Sequence, residues 1–176
     1  MDQGKGTDEG RLSGEQAIVK VRQMLAGFRS AMMMTRSDTN SGVDIRPMGL
    51  QRDAEVFGGA LHFFADDRSR KVAEIGADPH TALIFQNDEQ TTYLHLVGTA
   101  SVVNDKAKMR ELFTPLVKTW FPDGLADPHL TLIRFDAEEG HYWENPGGAL
   151  RLLGAFAKSA ITGVPGKGGV TGSLTM

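Results

Sequence analysis

The chain has no cysteine in its 176 residues, which excludes disulfides, thiolate metal sites and thiol nucleophiles together and suits a reducing compartment. Long apolar runs are missing as well. No stretch approaches the ~18–20 consecutive apolar residues of a membrane-spanning helix, and MDQGKGTDEGR at the start has no hydrophobic region of a secretory signal. The expected location is cytoplasmic. Charge of one sign is scarce: a net charge of −3 provides no global field for nucleic acid or an anionic membrane, so neither is an expected partner. His62, His80, His95, His129 and His141 include no H-x-x-x-H or other close pair, and no metal site is expected. G-x-S-x-G, Walker and dinucleotide spacings are absent, and no Ser/His/Asp set stands out. Catalytic residues are therefore unassigned, and any chemistry falls to a bound cofactor.

With 40% hydrophobic and 23% charged residues, the composition is that of a soluble globular protein. A single domain of this length buries roughly 70% of the surface its unfolded chain exposes. Residues 1–12 are polar and glycine-rich and read as a flexible arm. Ser13 and Gln16 form an S-x-x-Q capping box ahead of Ile18, Val21, Leu25 and Phe28 at helical spacing. Phe28 to Thr35 and Val43 to Leu50 flank the turn-rich Ser37-Asp38-Thr39-Asn40-Ser41-Gly42 and predict a hairpin. Ala60 to Ala65 is a short strand. A helix follows with Val72 and Ile75, closed by Gly76 and Pro79. Thr81–Gln86 and Thr91–Val103 pair about a turn at Asn87-Asp88, with Gly98 as a bulge position.

Asp105 opens a predicted helix carrying Met109, Leu112, Leu116 and Trp120, ended by WFPDGLADP. Leu130–Phe135 and Glu139–Trp143 form a last strand pair. Residues 13–146 constitute the main domain, 147–162 a C-terminal helix, and 163–176 a flexible tail. Six or seven strands in hairpin succession, without internal repeats, point to a small antiparallel barrel with appended helices.

Two stretches carry chemistry. In FFADDRSRK (residues 63–71), a strand runs into a helix start bearing Arg68, Ser69, Arg70 and Lys71, a disposition suited to phosphate. Solvated surface charges are the plainer alternative, but cations at a helix N-terminus oppose its macrodipole and an anion would reverse that cost. In DIRPMGLQ (residues 44–51), Pro47 interrupts an alternating strand, which suits an edge, and Arg46 can contact phosphate through two parallel N–H bonds. The alternative is an edge strand with Arg46 in water.

The order of RPM, FFADDRSRKVAEIGADPHTALIF, VGTASVVND and KTWFPDGLADPHLTLIRFDAEEGHYWENP resembles the general stress protein 26 branch of the pyridoxamine 5′-phosphate oxidase-like, FMN-binding split-barrel family, from about Ser13 to Ile161. The resemblance implies a mainly β fold with peripheral helices: a six-stranded antiparallel split barrel. It also implies a homodimer with FMN, or FAD, in two clefts between subunits. It assigns Arg46, Pro47, Met48 and Gly49 to the flavin strand, and Ser69 and Lys71 to the phosphate, with Arg68 or Arg70 assisting. Phe64 and Ala65 border the ribityl chain, Tyr93 faces the cofactor, and Trp120 with Phe121 comes from the partner subunit. The arginine-rich C-terminal motif of true pyridoxamine-phosphate oxidases is absent; RLLGAFAKSAITG stands in its place. Vitamin B6 oxidation is thus not expected. The functions implied are a flavin-dependent oxidoreductase of stress physiology or, alternatively, a non-catalytic flavin carrier, sensor or interaction protein.

Overall fold

A computed structural model describes residues 7–39, 42–144 and 170–176 of the chain, with side-chain surroundings from residue 10 onward. The strands are β1 (Thr7–Ser13), β2 (Ser30–Arg36), β3 (Val43–Gly49), β4 (Ala60–Asp66), β5 (His80–Asn87), β6 (Thr92–Val103), β7 (Leu130–Glu144) and β8 (Val170–Thr175). Helices α1 (Glu15–Leu25), α2 (Arg70–Ala77), α3 (Lys106–Leu112) and α4 (Pro115–Trp120) connect them, together with short 3-10 turns at Arg52–Val56 and Gly124–Ala126. No described helix is long and apolar enough to cross a membrane.

The six strands β2 to β7 pair only antiparallel to one another, in the order β7-β6-β5-β2-β3 with β4 also on β7. This is the expected split barrel. The split is visible on β7, which keeps β6 along one edge and divides the other. Leu130 to Asp136 pair with β4, and Glu139 to Glu144 pair with β8. At the fork the Ala137 amide donates to the Gly59 carbonyl on the β4 side, and the Glu138 carbonyl accepts from Met176 on the β8 side. Glu138 is the extra residue of a bulge opposite Val97 and Gly98. Gly98 has to be glycine there, since a Cβ would lie 1.9 Å from the Asp136 carbonyl oxygen.

Alternation places Leu61, Phe63, Phe85, Leu94, Leu96, Phe135 and Tyr142 inside, where they meet Val21, Met24 and Leu25 of α1. Each fully buried side chain of this kind contributes roughly 1.5–3 kcal/mol relative to exposure.

Several expectations need correction. Residues 7–12 and 170–176 are not a free arm and a free tail: β1 and β8 pair in parallel, and β8 closes on β7. Their backbone hydrogen bonds are satisfied by each other, a pairing that no local pattern signals. The Ser13–Gln16 capping box does not form. Ser13 ends β1, and Gly14, at φ 55°, makes the turn into α1 without a side-chain cap. The predicted single helix after Asp105 is two, because Pro115 cannot donate an amide and holds Thr114 extended. The Thr114 hydroxyl then accepts from the Val117 amide to start α4 anew. Leu130–Phe135 and Glu139–Trp143 are one continuous strand, β7, bent at the bulge. The predicted helix over 147–162 lies outside the described residues.

Candidate functional site

Among the described residues, β3 has a hydrogen-bonded neighbour on one side only, β2. Pro47 therefore occupies an edge, where its missing donor interrupts no ladder. Asp44, Arg46 and Met48 share the inward face of this strand, while Ile45 and Pro47 face outward. Met48 is buried in the core and Gly49 is exposed, so only the backbone of these two residues is open to a ligand.

Arg46 extends from β3 toward α2. Its side chain is 16% exposed, and its Nη2 donates to Glu74 Oε2 at 2.6 Å and to Asp44 Oδ2 at 2.9 Å. A second nitrogen, Nη1, donates to the Thr35 hydroxyl, which itself donates to Glu74 Oε2. Arg70 closes the arrangement with a 2.9 Å contact to Asp44 and a longer, 3.4 Å contact to Glu74. Burial pushes the Glu74 carboxyl up, but hydrogen bonds from Thr35, Ser37 and Arg46 outweigh it, and the group is held below the usual carboxylate range. Asp44 is lowered as well, first by its hydrogen bond from Arg46.

Lys71 stands beside this network and differs from it. Its ammonium is partly buried and has no hydrogen bond or ion pair among the described residues. Burial, then the positive charge of Arg46, draws its pKa down, against weaker support from Asp66 and Glu74. Three cations, Arg46, Arg70 and Lys71, face two carboxylates, so the cluster has one positive charge in excess.

The start of α2 adds backbone donors. Ser69 precedes the helix, but its hydroxyl donates 2.6 Å to the Asp66 carbonyl instead of capping. The amides of Arg70 and Lys71 have no acceptor among the described residues. Arg68 turns away to Asp66, which it holds well below the ordinary carboxylate range. Asp66, Asp67 and His129 bring possible ligand atoms within 4.8 Å of one another, but Arg68 holds Asp66 and His129 holds Asp67.

The structure thus brings Arg46, Ser69 and Lys71 together, with Pro47, Met48 and Gly49 along the edge strand. Phe64 and Ala65 lie on opposite faces of β4: Ala65 is in the core, and Phe64 meets Phe113 edge-on at 5.9 Å. The two side chains cannot line one surface. Tyr93 does not join the cluster. From Arg46 the register runs through Met33 and Leu83 to Leu96, three residues along β6 from Tyr93. Trp120, at 79% exposed, is not part of the core. Sequence reasoning missed Thr35, Asp44 and Glu74. The i,i+4 spacing of Arg70 and Glu74 and the Thr35–Asp44 register opposite each other in the hairpin are the signals that could have found them.

An antiparallel split barrel with a cationic corner, where an edge strand meets a strand-to-helix turn, defines the class of protein. The chain belongs to the pyridoxamine 5′-phosphate oxidase like family, whose model matches residues 16–165. It is similar to the protein bli-3 of Neurospora crassa, 27% identical over 159 residues, which span 86% of this chain and 76% of that protein. Among solved structures it resembles a candidate general stress protein 26 from Jannaschia sp. CCS1, with a TM-score of 0.74 at 23% identity over 91% of this chain and 98% of that one. It also resembles the general stress FMN/FAD binding protein of Xanthomonas citri, with a TM-score of 0.63 at 24% identity over 73% and 90% of the two chains. These likenesses establish the fold.

Proposed function

We propose that this chain binds a flavin nucleotide, FMN in the first place and FAD as an alternative, and works as a flavin-dependent oxidoreductase on a small substrate. The observation that carries the reading is Lys71. A partly buried ammonium without a partner is costly, and a phosphate reached by that ammonium and by the open amides of Arg70 and Lys71 removes the cost. The names of relatives support it, since the Xanthomonas citri protein is described as FMN/FAD binding.

In this reading Lys71 and the α2 amides hold the phosphate, and Arg46, fixed by Glu74 and Thr35, sets its orientation. The edge backbone from Pro47 to Gly49 offers a flat approach for the ring. When bound, the flavin supplies hydride or electron transfer; the chain's own residues bind and orient it. The outward faces of β3, β2, β5, β6 and β7 expose Ile45, Met32, Ile84, Val97 and Trp143. A second copy of the chain covering them forms a homodimer and brings Trp120 and Tyr93 to the clefts. Those exposed apolar positions equally suit a non-catalytic carrier or sensor that meets another macromolecule.

Titration of the purified, flavin-stripped protein with FMN, FAD and riboflavin tests the reading. One FMN per subunit, bound more tightly than riboflavin, is expected; no binding of any of the three overturns it. Reduction of bound flavin by NADH or NADPH then distinguishes an oxidoreductase from a carrier.

A further inference from the structure

Asp44 is an unexpected residue at a corner meant for anions. Its Oδ2 lies 2.9 Å from Nη2 of Arg46 and 2.9 Å from Nη2 of Arg70. A single carboxylate oxygen therefore bridges two guanidinium groups, as a phosphate oxygen would. Glu74, the other carboxylate on those arginines, differs in kind. It is 7% exposed and takes hydrogen bonds from Thr35 and Arg46, so it is a fixed part of the wall. Asp44 is 36% exposed, and apart from the arginines its carboxylate accepts from the Ile45 amide. It can turn to water at small cost.

We propose that Asp44 is an internal anion that competes with the phosphate of a flavin nucleotide for Arg46 and Arg70, and so sets how strongly the site prefers phosphorylated over unphosphorylated flavin. This rests on the flavin reading of the site and deepens it. Arg46 is held from behind by Glu74 and Thr35 and keeps its place when Asp44 leaves. Arg70 is 63% exposed and touches Glu74 only at 3.4 Å, so it is the arginine free to follow the phosphate. A dianion arriving at Lys71 meets Asp44 as a like charge, and the two anions exchange on the same pair of guanidinium groups.

The test compares the full chain with Asp44→Asn, which keeps shape and removes charge, and with Asp44→Ser as a second variant. Asp44→Asn is expected to bind FMN about three- to fivefold more tightly, the scale of one exposed ion pair, with riboflavin unchanged. Combining Asp44→Asn with Arg70→Ala is expected to abolish the gain. Unchanged or weaker FMN binding overturns the proposal, and so does an equal change for both flavins, which would place Asp44's effect on the ring or the fold. If the wild type binds no flavin, the functional reading falls by itself. Inorganic phosphate, titrated calorimetrically, then decides: tighter phosphate binding by Asp44→Asn supports the competition, and no difference removes it.

Discussion

Glu74 Oε2 lies 2.6 Å from Arg46 Nη2, joining the middle of α2 to the edge strand β3 across 28 residues of sequence. The pair is desolvated on both sides, and the Thr35 hydroxyl donates to the same carboxylate oxygen. Removing the carboxylate leaves a nearly buried guanidinium without its main partner. Glu74→Ala is expected to destabilise the fold by about 3 kcal/mol, read as a lower urea midpoint with an unchanged slope.

The same carboxylate predicts a pH dependence. Its folded pKa lies below the unfolded value, so the stability it contributes is fully present above the ordinary carboxylate range and is lost as pH falls through the folded pKa. Asp44, Asp78, Asp105 and Asp136 are lowered too and act in the same direction. Urea midpoints should hold steady from neutral pH to about pH 5 and fall below it. The fall should be shallower in Glu74→Gln than in the wild type.

Lys71→Ala should weaken FMN by about 1.5–3 kcal/mol, the worth of a charge-assisted hydrogen bond, and leave riboflavin nearly unaffected. Equal losses for the two flavins would put the phosphate elsewhere. Fluorescence quenching of each flavin by wild type and variant supplies the comparison.

Gly98 sits where β6 passes the bulge of β7, and an added Cβ would run into the Asp136 carbonyl. Backbone has to move for any side chain to fit. Gly98→Ala is expected to cost about 1–3 kcal/mol and to lower the Tm, with no comparable loss from alanine at Gly58, where the nearest atom is 4.0 Å away.

Trp120 is exposed at the end of α4, so Trp120→Ala should change the stability of the isolated subunit by less than about 0.5 kcal/mol. If it serves the partner's cleft, FMN retention and dimer population, followed by gel filtration with absorbance at flavin wavelengths, should both fall. Unchanged values for both would remove Trp120 from the site.

By itself, the sequence determined the elements whose signals are local. Apolar runs bounded by turn and breaker residues marked β2 to β6, with alternation clear only in β3, and the turn-rich run 37–42 joined the hairpin. Gly76 and Pro79 closed α2, and Pro47 announced an edge. The spacing of those parts also carried the family resemblance, because each strand keeps its own inward face and its own breaker. Tertiary structure decided what depends on groups far apart in the chain. β1 becomes a strand because residues some 160 further along satisfy its backbone, and β8 because it lies between β1 and β7. β7 runs unbroken because its own bulge at Glu138, opposite Val97 and Gly98, absorbs its bend, and the charge pattern of the corner follows from burial. Arg46 and Lys71 are both cations in the sequence. Only packing shows that Glu74 and Asp44 neutralise the first and that the second, at the start of α2, has no partner among the described residues, since the cost of a charge depends on which partners share its desolvated space.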